Sequence, residues 1–301
     1  MEEVILNSLA KINLGLEVLG LREDGYHEII TLFQTVDLRD RLVFRLRADG
    51  QIFVSGDRTD LPWDESNLIY RAALLLKNES GSPKGVEIEV NKNIPPGRGL
   101  AGGSSNAALT ILVLNRLWQL NLSVERLLFL AASLGADIPY FFYGGLCLGR
   151  GKGEKLDPLP DLPQCWVLLV IPDFPVSTAM VYRELDRQEE FLTSRDKASK
   201  IIQFSEAKDI SLIRHLENDL ELVTFKIYPQ LAEIKQEMAN SGAELSMMSG
   251  SGSAVYGLFT DRSQAQQAVD RFQTRYQVFL VETVGRELYR RKLITGASPN
   301  W

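Results

Sequence analysis

From Pro95 to Ala108 the chain reads Pro-Pro-Gly-Arg-Gly-Leu-Ala-Gly-Gly-Ser-Ser-Asn-Ala-Ala, then stays largely apolar as far as Leu120. Gly97, Gly99, Gly102 and Gly103 let the backbone turn without a Cβ and come close to a ligand. Ser104, Ser105 and Asn106 are helix-starting residues, and Ala107 to Leu120 reads as a buried helix behind them. Unpaired N–H groups and the helix dipole converge where such a loop feeds a helix, which makes an anion site. Pro95, Leu100 and Ala101 complete the loop, and Ala101 is expected to keep φ below zero because it carries a Cβ. The loop is expected to hold phosphates.

Two common phosphate motifs fail here. Gly97-x-Gly99-x-x-Gly102 matches the dinucleotide fingerprint in form, but that motif needs an acid about 20 positions on, at the end of a strand. This chain has Trp118-Gln119-Leu120-Asn121-Leu122 there, followed by another helical pattern. A Walker loop needs Gly-Lys-Ser/Thr, and Gly102-Gly103-Ser104 lacks the lysine. The cation must come from Arg98 in the loop, Lys92 before it, Lys11 on the first strand, or a bound metal.

The net charge of −6 argues against a nucleic-acid or anionic-membrane surface, so any positive field is local. Length, at 301 residues, suggests about two domains on a prior of ~150 each. Cys147 and Cys165 form neither a disulfide framework nor a metal-ligand spacing, which fits a reducing cytosol. No apolar run approaches the ~18 residues of a membrane span, so a cytoplasmic location is the default.

Ser8 to Val18 alternates as a strand, with Lys11, Asn13 and Glu17 on its polar face. Leu21 to Glu28 is a polar turn around Asp24-Gly25, and it holds His27. Arg41–Arg47 and Gln51–Ser55 predict a hairpin about Asp49-Gly50. Asn67 caps a helix from Leu68, and Val86–Asn91 is a strand leading into the glycine loop. Ser123 opens a helix that Gly135 closes in the usual terminating role. Gly151–Pro163 is the best candidate for a domain junction. Beyond it lie a buried strand at Trp166–Ile171 and helices at Thr178–Gln188, Ile210–Leu222, Pro229–Asn240 and Ser263–Tyr276. Strands at Ala243–Met247 and Ala254–Phe259 bracket a second glycine loop, and Gln277–Thr283 is a last strand. This mixture is an α+β or α/β protein. The stretch 187–209 carries no motif.

The glycine-serine loop resembles the phosphate loop of the small-molecule kinases that include galactokinase, homoserine kinase and mevalonate kinase. Two further signatures of that superfamily are in place: Lys11-Ile12-Asn13-Leu14, and Met248-Ser249-Gly250-Ser251-Gly252-Ser253-Ala254. Within it the chain most resembles the branch acting on a cytidine-diphosphate-linked methylerythritol in the non-mevalonate route to isoprenoid precursors. Asp24-Gly25-Tyr26-His27, Ser66-Asn67-Leu68 and Gly135-Ala136-Asp137-Ile138-Pro139 select that branch.

The resemblance implies transfer of the ATP γ-phosphoryl group to the 2-hydroxyl of that small-molecule alcohol. It implies an α+β fold: an N-terminal ribosomal-S5-like domain over residues 1–160, a C-terminal ferredoxin-like domain over 161–301, and a site in the cleft between them. Asp137 becomes the catalytic carboxylate and Lys11 its partner, since a nearby cation keeps an Asp ionised and favours a developing alkoxide. Tyr26 and His27 would read the cytosine, with Tyr182 as a second aromatic, although its helical spacing also permits core packing. Asn13 matches a substrate-contacting position. Lys92, Asn67 and Leu68 flank the nucleotide, and the loop residues Pro95, Gly97, Gly99, Leu100, Ala101, Gly102, Gly103, Ser104, Ser105 and Asn106 cradle it. Ser249, Gly250, Ser251 and Gly252 would close over the substrate. Mg²⁺ is expected with ATP on chemical grounds, with no protein metal-ligand set assigned. A kinase for a different alcohol, or a nucleotide-binding module without catalysis, remains an alternative at this point, and the oligomeric state stays open.

Overall fold

The computed structural model describes residues 3–188, 199–207 and 210–293. Most of the stretch without a motif lies outside them. Two long antiparallel strands, β1 (Glu3–Leu21) and β2 (His27–Arg47), frame the first half and are joined by the expected Asp24-Gly25 turn. The alternation of β1 is present, but its polar face is not solvated. Lys11 and Asn13 are 3% and 2% exposed. Register shifts at Leu9/Ala10 and Asn13/Gly15 bend the pair beside these residues, as bulges do where side chains must be re-aimed.

The other edge of β2 is shared. Arg41–Arg47 pairs with β4 (Gly85–Asn91), and Ile29–Gln34 pairs with β5 (Leu146–Gly151). β6 (Lys155–Pro158) lies beyond β5, so part of the proposed junction folds as a strand of this sheet. The hairpin expected about Asp49-Gly50 does not form. β3 (Ile52–Gly56) instead runs parallel to β4, which separates it from β2. β4 buries Val86, Ile88 and Val90, whereas β3 is nowhere fully buried, so the central position removes more apolar surface when β4 takes it. Gly85 permits the close approach, since a Cβ there would stand 2.4 Å from the Gln51 carbonyl oxygen.

Helices α1 (Leu68–Ser80), α2 (Gly102–Leu117) and α3 (Val124–Leu134) enclose a core against this sheet. α2 is apolar and buried on most of its surface, as expected, but it starts earlier than its serines suggest. Ala101 is its N-cap at φ +53°, contrary to the expectation of a negative φ. That conformation costs a residue with a Cβ about 1–2 kcal/mol. It lets the chain reverse while Leu100 stays fully buried. Gly135 follows α3 in extended rather than left-handed conformation, so it stops the helix without the expected terminating turn.

The second sheet has the order β10-β7-β9-β8, formed by β7 (Trp166–Ile171), β8 (Leu245–Met248), β9 (Val255–Phe259) and β10 (Gln277–Glu282). All its neighbours are antiparallel. Helices α7 (Pro229–Asn240) and α8 (Arg262–Phe272) connect these strands, giving the βαββαβ order of a ferredoxin-like unit. Between β7 and α7 lie α4 (Thr178–Asp186), α5 (Lys200–Ala207) and α6 (Glu221–Ile227). The single helix expected over 210–222 is broken into a 3-10 turn (Ile210–His215) and α6. Leu16 N–H donates to Glu217 O and Asp219 N–H to Leu16 O, both at 2.9 Å, so this backbone bonds to β1 instead of to a helix.

One core cluster spans both sheets, bringing Ile12, Leu14 and Leu32 together with Leu169, Met247 and Tyr256. The last described helix, α9 (Arg286–Leu293), returns to the first half, where Tyr289 OH donates to Phe141 O at 2.6 Å. No helix of the described residues is long and apolar enough to cross a membrane.

Candidate active site

Two cavities meet beside the glycine loop. The larger, about 710 Å³, runs from Gly99 and Lys11 to Tyr26, Tyr182 and Asp186. The smaller, about 360 Å³, lies over Gly97–Gly103 and reaches Asn67, Leu68 and Lys92. Gly99, Ser104 and Asp137 line both. A reacting group at their junction would touch the loop, a hydroxyl and a carboxylate together.

At the junction Lys11 Nζ stands 3.4 Å from Asp137 Oδ2 and donates to Asn13 Oδ1 at 2.6 Å. The lysine is buried, while the Asp137 side chain is 35% exposed and open to a ligand. Asn13 is fixed in turn: its amide donates to Thr31 Oγ1 at 2.8 Å, and that hydroxyl donates to Gly15 O. Asp137 precedes the Pro139–Phe142 3-10 turn, whose proline lacks the N–H that would continue α3 through this stretch. An accessible carboxylate can take a proton from a hydroxyl, and the fixed ammonium beside it can steady the anion that results.

Starting α2 at Gly102 leaves the N–H groups of Gly102, Gly103 and Ser104 outside the helical ladder, at the positive end of the dipole. Ser105 is turned inward, lines neither cavity, and donates its N–H to Ala101 O. Leu100 is also buried, and its carbonyl accepts from Lys11 N–H at 3.1 Å. Asn67 spends its side chain as a helix cap, accepting from Ile69 N–H at 2.9 Å and donating to Pro62 O. Pro95 lines the smaller cavity.

Lys92 lines that cavity too, but its ammonium is engaged by Asp40, a residue that sequence reasoning did not single out. Asp40 is fully buried. Besides Lys92 it accepts from Asn93 N–H and Ile94 N–H, both at 2.8 Å, and from Asn106 Nδ2 at 3.1 Å. Asn106 Oδ1 accepts from the Ser8 hydroxyl at 2.9 Å. Burial raises the Asp40 carboxyl above its ordinary value, and Lys92 opposes that rise. This network ties β1, β2, the exit of β4 and the first turn of α2 beneath the glycine loop. Nothing local flags it, because Asp40 and Lys92 are far apart in the chain.

The second glycine loop is seated on the first. A Cβ on Gly99, which has φ +77°, would stand 2.0 Å from Ser249 O, so no other residue fits there. The Ser249 hydroxyl donates to Gly99 O at 2.8 Å, and Ala254 N–H to Arg98 O at 3.2 Å. Gly250 and Ser251 line the larger cavity; Ser249 and Gly252 support them from behind. Asn218, buried and unforeseen, donates to both Met248 O and Gly250 O. Ser251 Oγ lies 2.7 Å from Thr178 Oγ1, which links the loop to α4.

At the far end the His27 and Tyr182 rings stack directly, 4.6 Å between centroids and 23° between planes. Their contact fills the space between them, so a base placed there would require the rings to part by roughly one ring thickness. His27 Nε2 lies 2.6 Å from Asp186 Oδ1. Burial, with the Asp137 charge adding to it, pushes the Tyr182 phenol well above its ordinary value. Tyr26 is 58% exposed, and Lys152 sits over its ring at 4.2 Å.

Residues 67–145 match the model of the GHMP kinases N terminal domain, and residues 200–278 that of the GHMP kinases C terminal domain. A Syntrophomonas wolfei protein named 4-diphosphocytidyl-2-C-methyl-D-erythritol kinase is 44% identical over 283 residues, covering 93% of this chain and 98% of that protein. This chain belongs to that kinase family. A crystal structure titled 4-(cytidine 5'-diphospho)-2C-methyl-D-erythritol kinase superposes with a TM-score of 0.78 at 37% identity, covering 93% of this chain and 99% of that one. Homoserine kinase from Cytophaga hutchinsonii shares the fold, with a TM-score of 0.74 at 20% identity, covering 96% of each chain. Membership of the 4-diphosphocytidyl-2-C-methyl-D-erythritol kinase family makes the chain a phosphotransferase. It also accounts for the two-part α+β architecture expected from the glycine-serine loop.

Proposed function

We propose that the chain transfers the γ-phosphoryl group of ATP to the 2-hydroxyl of 4-diphosphocytidyl-2-C-methyl-D-erythritol. The observation that carries this reading is the Lys11–Asp137 pair at the junction of the two cavities. The nucleotide occupies the smaller cavity, with its phosphates on the N–H groups of Gly102, Gly103 and Ser104 and its base toward Asn67 and Leu68. The alcohol lies in the larger cavity, its hydroxyl at Asp137 and its cytosine near Tyr26, His27 and Tyr182. Asp137 accepts the hydroxyl proton as the oxygen attacks the γ-phosphorus, and the P–O bond to ADP breaks. Lys11 stabilises the developing alkoxide. A loose transfer asks more of positioning than of a base, which suits a carboxylate held by a buried lysine.

Mg²⁺ would arrive with the triphosphate. Among the described residues no group of three His, Cys, Asp or Glu side chains could hold a metal. Magnesium characteristically uses one or two protein oxygens plus phosphate and water. The Ser104 hydroxyl, which lines both cavities, is the protein donor that fits it beside the phosphates, and the ion would neutralise phosphate charge. The free, buried Cys147 and Cys165 support a reducing, cytoplasmic setting.

The test is an ATP-dependent phosphorylation assay on the cytidylyl alcohol, with the modified position mapped by NMR. Phosphate on the 2-hydroxyl is expected. Turnover of mevalonate or homoserine instead would overturn the substrate, and ATP binding without transfer to any alcohol would overturn catalysis.

A further inference from the structure

The cations around the two cavities are mostly spoken for. Lys11 faces Asp137, Lys92 faces Asp40, and Lys152 faces Asp24. Arg98 is different. It belongs to the glycine loop and lines the smaller cavity with Gly97, Gly99 and Gly103. No carboxylate of the described residues lies within 4.0 Å of its guanidinium. Of its five donors, the one described hydrogen bond is long: Nη1 to Ser253 Oγ at 3.4 Å. That hydroxyl already donates to Phe174 O at 2.7 Å. Burial lowers the Arg98 pKa from its ordinary value, and the more distant Asp173 is the one charge opposing this.

A partly buried guanidinium with donors to spare, inside a loop that lacks the Walker lysine, is matched to a polyanion. We propose that Arg98 is a phosphate-binding residue of the nucleotide site, donating to the terminal phosphates of ATP and ADP. Its backbone is already held against the second glycine loop by Ala254 N–H, so the side chain swings from a fixed base. Charge-assisted contacts to phosphate oxygens would replace the long bond to Ser253. The planar fork also makes arginine better suited than lysine to grip two phosphate oxygens at once.

The proposal rests on the nucleotide reading of the smaller cavity, and calorimetric titration of the full chain separates the two. Wild type, Arg98→Ala and Arg98→Lys are each titrated with ATP, ADP and adenosine. Arg98→Ala is expected to weaken ATP and ADP by about tenfold to a hundredfold, the range of a hydrogen bond to a charged group. Adenosine binding stays unchanged, and Arg98→Lys recovers part of the loss. If Arg98→Ala fails to fold, Arg98→Gln, which keeps the stem and a donor, carries the same test. Unchanged ATP affinity overturns the role of Arg98 alone. So does an equal loss for adenosine and ATP, which marks a structural staple between the loops. A wild-type chain that binds none of the three overturns the nucleotide reading itself.

Discussion

Beneath the glycine loop the polar groups are buried and mutually satisfied, with Asp40 accepting from four donors and Lys11 held by Asn13 and Asp137. Across the cleft the burial is mixed: His27 is buried, but Tyr26 stands exposed and Asp186, which meets His27, is 36% exposed. The difference suits what the proposed function asks each side to grip. A triphosphate is recognised by backbone N–H groups, which are useful only if the loop cannot shift, so the loop stands on a network that is costly to open. A nucleobase is recognised by ring faces and edges, which side chains can present after a small rearrangement. Asp137 stands where the two constructions meet.

The sharpest way to break this comparison is at that meeting point. Asp137→Asn keeps the shape and removes the proton acceptor, so kcat should fall by about 10²- to 10⁴-fold while equilibrium ATP binding holds. An equal loss in both would make Asp137 part of the nucleotide cradle instead. Next comes the buried network. Lys92→Met leaves Asp40 inside the protein without a counter-charge, and the urea midpoint should drop by an amount equal to about 3–5 kcal/mol. An unchanged midpoint would show that the donor side is not braced by this pair.

Tyr182→Ala probes the looser wall. It removes the ring stacked on His27, an interaction worth about 0.5–1.5 kcal/mol beyond its area. KM for the cytidylyl alcohol should rise by about tenfold with KM for ATP unchanged; a rise in both would dissolve the distinction between the walls. The smallest effect concerns the core at β5. Burial pushes the Cys147 thiol from 9.0 up to about 11. The folded state therefore keeps a proton that the unfolded chain releases, and this contribution to stability is full below pH 9 and lost as pH rises toward 11. Iodoacetamide should leave Cys147 intact at pH 8 until denaturant is added, and ready labelling of the folded chain would show that the core around β5 opens.

Much of this was legible locally. The glycine spacing and the serines after it announce a loop feeding a helix start, and the missing lysine and missing acid exclude two motifs on sequence alone. The Asp24-Gly25 turn, the buried helix behind the loop and the strands around the second glycine loop also followed from short-range pattern. The hairpin at Asp49-Gly50 did not, because the turn chemistry was right but a more apolar strand far along the chain took the place beside β2. Ala101 departed from its preferred φ because the burial of Leu100 outweighed a local penalty.

By itself, then, the sequence determined which segments turn, which pack, and that a glycine-rich loop feeds a helix start near residue 102, since those depend on neighbours a few positions away. Only the tertiary structure decided that Asp40 claims Lys92, that Ser249 sits against Gly99, that Asn218 fastens the second loop, and that His27 rests on Tyr182. Each of these pairs residues distant in sequence, and each is fixed by how two sheets pack through a common core rather than by any local preference.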